Sequence, residues 1–178
     1  MRKLSMDELN RLNEDEFKRE KKFPLVLVLD NVRSMHNTGS IFRTADAFRL
    51  EKIYLCGITA SPPHREIEKT ALGATKSVNW KYFENTTDAI LELKNQDFKI
   101  ACIEQVEGSM SLLSFQPHKN EKYAVIFGNE VKGVQENVLE LCDYFLEIPQ
   151  FGTKHSFNVS VTAGIVVWDF YSKISPGY

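Results

Sequence analysis

Three short stretches of the chain, Leu25–Leu29 (LVLVL), Tyr123–Phe127 (YAVIF) and Tyr144–Ile148 (YFLEI), are apolar at nearly every position, with a single Glu as the exception. A strand that faces water on one side alternates; a strand apolar on consecutive residues is covered on both faces, as in a parallel sheet under helices. Strands at 25–30, 52–56, 78–83, 99–104, 123–127 and 144–148 alternate with helices at 38–48, 86–95, 134–141 and 158–173 and a loop with a short helix around 65–72. That alternation predicts an α/β fold, a mostly parallel sheet with helices on both faces.

The stretch Ile148–Trp168 joins a strand end, a polar loop and a helix without a break. The polar run Gln150–Ser156 faces a cavity or solvent. From Asn158 small and β-branched residues continue into Trp168, Phe170 and Tyr171, too long a run for a strand, so a buried helix is expected. Its small first residues would let a ligand or another backbone approach, and the free N–H groups of a helix start attract electron-rich atoms. A tightly packed core helix would have the same composition.

A second segment runs from the strand Leu25–Leu29 through Asn37-Thr38-Gly39 into a helix carrying Ile41, Phe42, Ala45 and Phe48, with Asn37 or Thr38 as its cap. Arg43 stands beside those apolar positions and, taken singly, reads as a solvated helix charge. In the third segment, Tyr123–Phe127 ends in Gly128-Asn129-Glu130 and is followed by Gly133. A strand delivering a glycine-bounded loop at its carboxyl end is the usual ligand position in an α/β sheet, although Gly and Asn also serve turns for backbone reasons alone.

The length, 178 residues, suits one domain of ordinary size. A formal net charge of −2 argues against indiscriminate nucleic-acid binding, so an RNA partner would need a local basic patch. Cys56, Cys102 and Cys142 show neither C-x-x-C spacing nor matching histidines, so no metal site or disulfide framework is expected. No apolar run approaches a membrane span, and MRKLSMDELN lacks a signal-peptide core, which predicts a cytoplasmic protein. Residues 1–22 are expected to form a helical extension opened by a Ser5–Glu8 capping box, with Lys18, Arg19, Lys21 and Lys22 at its end; residues 23–178 form the main domain.

Taken together and in order, the three segments resemble the SpoU (TrmH-like) RNA 2′-O-ribose methyltransferases of the SPOUT superfamily. The first motif, N-x-G-x-x-x-R-T, is met by Asn37, Gly39, Arg43 and Thr44, and the second, G-x-E-x-x-G, by Gly128, Glu130 and Gly133. The third, I-P-x-x-G followed by S-x-N-V-S-V, is met by Ile148, Pro149, Gly152, Ser156, Asn158, Val159, Ser160 and Val161. The likeness extends from about Pro24 to about Tyr171. It implies a C-terminal trefoil knot, a feature ordinarily excluded by the rules of chain connection. It also implies a homodimer and an S-adenosylmethionine pocket formed by Ile103, Glu104, Phe127, Gly128, Ile148, Ser156 and Phe157.

The implied reaction is methyl transfer to a ribose 2′-hydroxyl, with Arg43 as the activating group and Asn37, Glu130, Ser156 and Asn158 around it. An arginine keeps its charge far above neutral pH, and a neutral guanidine at pH 7 costs about 8 kcal/mol, so the expected role is electrostatic. His36 and His155 stand inside the motifs but are not required by the family pattern, and read as loop residues. The compact form leans toward tRNA, with rRNA as the runner-up, and the tail YSKISPGY lacks the arginine-bearing extension of some tRNA-modifying relatives. A non-catalytic RNA-binding protein on the same fold is the rival reading, disfavoured by four polar motif groups standing together. A dinucleotide enzyme lacks its G-x-G-x-x-G after the first strand.

Overall fold

The computed structural model describes residues 1–175 except Met6 and Asn10; the last three residues of the YSKISPGY tail lie outside the described residues. Its centre is a sheet of seven strands: β1 (Phe23–Asp30), β2 (Leu50–Cys56), β3 (Trp80–Phe83), β4 (Phe98–Ile103), β5 (Met110–Ser111), β6 (Lys122–Phe127) and β7 (Tyr144–Glu147). The spatial order is β3-β2-β1-β6-β4-β7-β5 and every ladder is parallel. The helices are α1 (Glu14–Arg19), α2 (Met35–Ala47), α3 (Arg65–Ala71), α4 (Ala74–Ser77), α5 (Thr86–Lys94), α6 (Glu136–Leu139) and α7 (Val159–Ile174).

Consecutive apolar residues in β1 serve two cores. Leu25, Leu27 and Leu29 point to one side, against Ile41 and Phe42 of α2, Ile67 of α3 and Val166 and Phe170 of α7. Val26 and Val28 point to the other, against Ala89, Ile90 and Leu93 of α5 and Val138 of α6. Full burial of such a side chain contributes about 1.5–3 kcal/mol relative to exposure, so a polar residue at any of these five positions would be costly. On the first side, α2 and α3 approach at backbone distance: a Cβ on Gly39 would fall 2.2 Å from the Ile67 carbonyl oxygen and from Thr70 Oγ1. This motif glycine is therefore required for helix packing.

Several elements differ from the sequence expectation. α2 starts at Met35, three residues early, because Ser34 is the cap: its hydroxyl accepts from the Asn37 N–H at 3.2 Å. Asn37 and Thr38 lie within the first turn instead. The Ser5–Glu8 box forms, with the Ser5 N–H 2.7 Å from the Glu8 carboxylate, but only a 3₁₀ turn at Asp7–Leu9 follows it. A second box, Asn13 with Glu16, opens α1, whose Phe17 is the residue the core accepts. Short helices depend on such packing for their stability.

The helix expected over 134–141 contracts to Glu136–Leu139. Its upstream N–H, on Gln135, is held 2.9 Å from buried Asp30, and i→i+3 bonds from Leu141 and Cys142 tighten the chain into β7. The strand expected over 78–83 starts at Trp80, since Val78 closes α4 with an N–H bond to the Ala74 carbonyl. Cys56 and Cys102 are buried and Cys142 is half-buried, all as free thiols.

Candidate active site

The chain leaves β4, β6 and β7 at the same end of the sheet, and their loops enclose a cavity of about 870 Å³. Every residue expected to hold a cofactor is in its wall: Ile103 and Glu104 after β4, Phe127 and Gly128 after β6, Ile148 after β7, and Ser156 and Phe157 before α7. A crevice outside the carboxyl ends of parallel strands is the general ligand position in open α/β sheets. The segment Phe151–Asn158 is exposed along its whole length, Phe151 (97%) included.

The wall after β6 is a tightly closed loop. Asn129 and Gly133 exchange two backbone hydrogen bonds of 2.9 Å, and the Asn129 side-chain oxygen accepts from the N–H groups of Val131 and Lys132. A Cβ on Gly128 would lie 2.3 Å from the Gly133 carbonyl carbon and 2.4 Å from the Val134 nitrogen. The missing Cβ thus admits the chain's own returning backbone. Glu104 fastens the loop from the β4 side, accepting the Val134 N–H at 3.0 Å and the Gln105 N–H at 3.0 Å.

Three motif residues from three segments form one chain of hydrogen bonds. The Glu130 carboxylate accepts from the Arg33 N–H (2.9 Å), the Ser34 N–H (3.0 Å) and Asn37 Nδ2 (3.1 Å). Asn37 Oδ1 accepts from Asn158 Nδ2 at 3.1 Å, and Asn158 Oδ1 caps α7 by accepting from the N–H and hydroxyl of Ser160 and the N–H of Val161. The direction of this chain is fixed by chemistry: an ionised carboxylate only accepts, so Asn37 must turn its NH₂ toward Glu130 and its oxygen toward Asn158. Burial would push Glu130 up, but the N–H groups of Arg33, of Glu130 itself and of Ser34, with the Asn37 amide, outweigh it and hold the carboxyl below its ordinary range.

Arg43 stands apart from this network. It is exposed on α2, six residues and so about 9 Å along the helix from Asn37. There it borders a separate depression of about 540 Å³ shared with Ser40, Thr44, Lys69, Thr70 and Gly164 of α7. It makes no hydrogen bond or ion pair with Asn37, Glu130, Ser156 or Asn158. His36 bonds through Nε2 to Glu66 at 2.9 Å, whereas His155 lines the large cavity and its carbonyl accepts from Gln105 Nε2 at 3.3 Å.

Sequence reasoning missed Asn129 and Gln105 as parts of the site, and Asp30 behind it. Asn129 sat in plain view between Gly128 and Glu130. Buried Asp30 accepts from Thr86 Oγ1 (2.6 Å), Asn31 Nδ2 (2.9 Å) and the Gln135 N–H (2.9 Å), tying the start of α5 to the chain beyond the β6 loop. The only signal for it was a carboxylate at the end of an apolar run. Among the described residues no three His, Cys, Asp or Glu side chains group as metal ligands.

An all-parallel sheet with helices on both faces and a cavity at the carboxyl ends of three strands defines a ligand-binding α/β protein. Within that class the chain belongs to the SpoU rRNA Methylase family, whose model matches residues 24–168. It is 34% identical over 146 residues to the 23S rRNA (guanosine-2′-O-)-methyltransferase RlmB of Neisseria meningitidis serogroup B, covering 81% of this chain and 56% of that protein. Among solved structures it is similar to the A. aeolicus TrmH/SpoU tRNA modifying enzyme, at 26% identity and a TM-score of 0.76, over 91% of this chain and 85% of that one. The AdoMet-bound rRNA methyltransferase of Sinorhizobium meliloti superposes at 25% identity and a TM-score of 0.77, over 89% and 59%. The chain spans little more than half the length of the Neisseria protein.

Proposed function

We propose that the protein methylates a ribose 2′-hydroxyl of RNA with S-adenosylmethionine as donor. The observation that carries this reading is the joining of all three motif segments at one cavity, through Glu130, Asn37 and Asn158. The cavity fits such a cofactor. Its volume is that of a small-molecule site, Ile103, Phe127, Ile148 and Phe157 offer apolar walls to a purine, and Glu104, Glu130 and Glu136 outnumber the one lysine of the lining, Lys132, leaving a negative balance suited to a cationic sulfonium.

When bound, the cofactor supplies an electrophilic methyl group. The protein's task is then to present the hydroxyl in line and to stabilise the negative charge that grows on its oxygen as its proton leaves to water; that charge is consumed as the O–C bond forms and the C–S bond breaks. Arg43, as a charged fork, suits that task by holding an RNA phosphate and the incipient alkoxide together. Ser156 stands in the cavity wall to orient the ribose; Glu130, Asn37 and Asn158 hold the three loops in register. Because Arg43 borders a different depression from the cavity of its own chain, we assign it to the cavity of a second copy. A homodimer through α2 and α7 fits this assignment: α7 exposes Val161 (51%), Ile165 (37%) and Trp168 (60%) at helical spacing beside Gly164. Leaving such a stripe in water is costly.

In this reading residues 1–22 are an extension to the methyltransferase domain of residues 23–178, the last helix is threaded as the family's trefoil knot, and the protein works in the cytoplasm, no described helix being long and apolar enough to cross a membrane. The likeness to a TrmH/SpoU tRNA modifying enzyme favours tRNA, and the likeness to an enzyme named for 23S rRNA is the observation that favours the second substrate. The test is transfer of labelled methyl from S-adenosylmethionine to tRNA and to 23S rRNA from cells lacking the protein, followed by nuclease digestion. Label in a 2′-O-methylnucleoside from one of the two is the expected outcome. Absence of label from both, with no calorimetric binding of the cofactor at millimolar concentration, would leave the non-catalytic RNA-binding alternative.

A further inference from the structure

At the other end of the sheet a second cleft, about 560 Å³, lies where β1 begins and α2 and α7 end. Lys21, Lys22, Arg49 and Lys119 line it, on the side away from the subunit interface proposed above, beside Phe48, whose ring meets edge to face, centroids 6.1 Å apart, the Trp168 that is a partner contact in that dimer. Its single lining carboxylate, Glu20, is already 3.3 Å from Arg49. Asp46, a further acid whose charge acts on Lys22, accepts the Ser77 hydroxyl. Lys21 and Lys119 are exposed and make no ion pair or hydrogen bond among the described residues. The Lys22 amine donates to the Phe17 carbonyl and lies 3.6 Å above the Phe17 ring. Burial, and then the neighbouring Arg49, push that amine below its ordinary value, as expected where positive charge is under-compensated.

A cleft of one charge sign with low-dielectric walls focuses field and concentrates counter-ions. In a chain whose net charge is −2, such a site is selective in a way that a uniformly basic surface is not. We infer that this cleft holds a backbone phosphate of the RNA substrate, remote from the reacting ribose; the inference rests on the RNA reading above. Phe127, in the cofactor cavity, pairs with Leu29, and Phe23, in the cleft, lies six residues earlier on the same strand. At 3.3 Å per residue the two sites of one chain are about 20 Å apart. The contact therefore acts on RNA affinity and has no part in the methyl transfer itself.

The test is the double substitution Lys21→Gln and Lys119→Gln, both on exposed side chains outside the core. Fluorescence anisotropy follows binding of bulk tRNA and of a labelled 20-nucleotide poly(U) strand across a potassium chloride series. Losing that phosphate contact on single-stranded RNA lowers the slope of log affinity against log salt by about 0.7, and the affinity at 0.1 M salt falls about fivefold. Cofactor affinity by calorimetry and mass by light scattering stay at wild-type values, and in methyl transfer KM rises while kcat holds. An unchanged slope and affinity overturns the inference. So does a loss of RNA affinity accompanied by altered cofactor binding or altered mass, which would make the cleft a structural or subunit contact. Failure of the wild-type protein to bind S-adenosylmethionine would strike the methyltransferase reading alone, since the anisotropy arm reads the cleft without it.

Discussion

Replacing Glu130 with glutamine removes one charge and almost no volume, and so isolates what the carboxylate does. Its two oxygens accept three hydrogen bonds, from Arg33, Ser34 and Asn37. A glutamine oxygen can serve only one side of that arrangement, and its NH₂ must then face an N–H donor. Three bonds to a charged acceptor at about 1.5 kcal/mol each would total about 4.5 kcal/mol. Glu130 is exposed, so water refills the vacated positions, and the measurable loss is on the order of 1–2 kcal/mol. For a chain of this size that is a fall in Tm of about 3–6 °C by scanning calorimetry. The effect has a defined pH dependence. A carboxyl held below its ordinary range stabilises the folded state above the unfolded value, and that contribution disappears as pH falls through the folded value. The gap between wild type and Glu130→Gln is therefore full at pH 7 and closes only as pH drops below the ordinary glutamate value near ~4.3. Cofactor affinity should fall about tenfold in parallel, because the same bonds hold the loop that walls the cavity. A Tm within 1 °C of wild type together with unchanged cofactor affinity would refute the view that Glu130 joins the segments.

Arg43→Ala should leave cofactor affinity within a few-fold and reduce single-turnover methyl transfer on the order of 100- to 1000-fold, with lysine an incomplete substitute; a near-wild-type rate would move attention to His36 and His155. Gly128→Ala forces a Cβ onto the Gly133–Val134 backbone, and calorimetry should show loss of cofactor binding with a Tm lower by several degrees. Trp168→Glu in the exposed stripe of α7 should convert a dimer into a monomer by light scattering at micromolar concentration while circular dichroism stays unchanged. A wild-type chain already monomeric there would instead assign that stripe to a free surface.

The strands were legible because burial on both faces of a parallel sheet leaves a run of apolar residues that little else explains, and β1, β6 and β7 stand within two residues of expectation. β5 was not legible: two residues, Met110 and Ser111, carry no periodicity. The cap of α2 was misplaced because Asn37-Thr38-Gly39 looks like a helix start in isolation, while the loop from β1 turns earlier and Asn37 is spent on Glu130 and Asn158. The lining of the large cavity was anticipated residue by residue through the family resemblance, since Ile103 and Ile148 look like any core residue. The separation of Arg43 from the rest could not be read from order along the chain, because six residues of helix carry a side chain about 9 Å away from its motif partner.

Asn158 does two things with one side chain: its oxygen fixes the first turn of α7, and its amide grips Asn37 on α2. A ligand that draws the exposed loop before α7 inward must move α2 with it or give up that amide bond. Whatever occupies the cavity is thereby thermodynamically linked to whatever touches α2, and linkage is reciprocal: if the donor sharpens the grip on RNA by some factor, RNA must sharpen the grip on the donor by the same factor. Asparagine 158 is in that sense a coupling, and its alanine variant would uncouple two affinities that the intact chain cannot set independently.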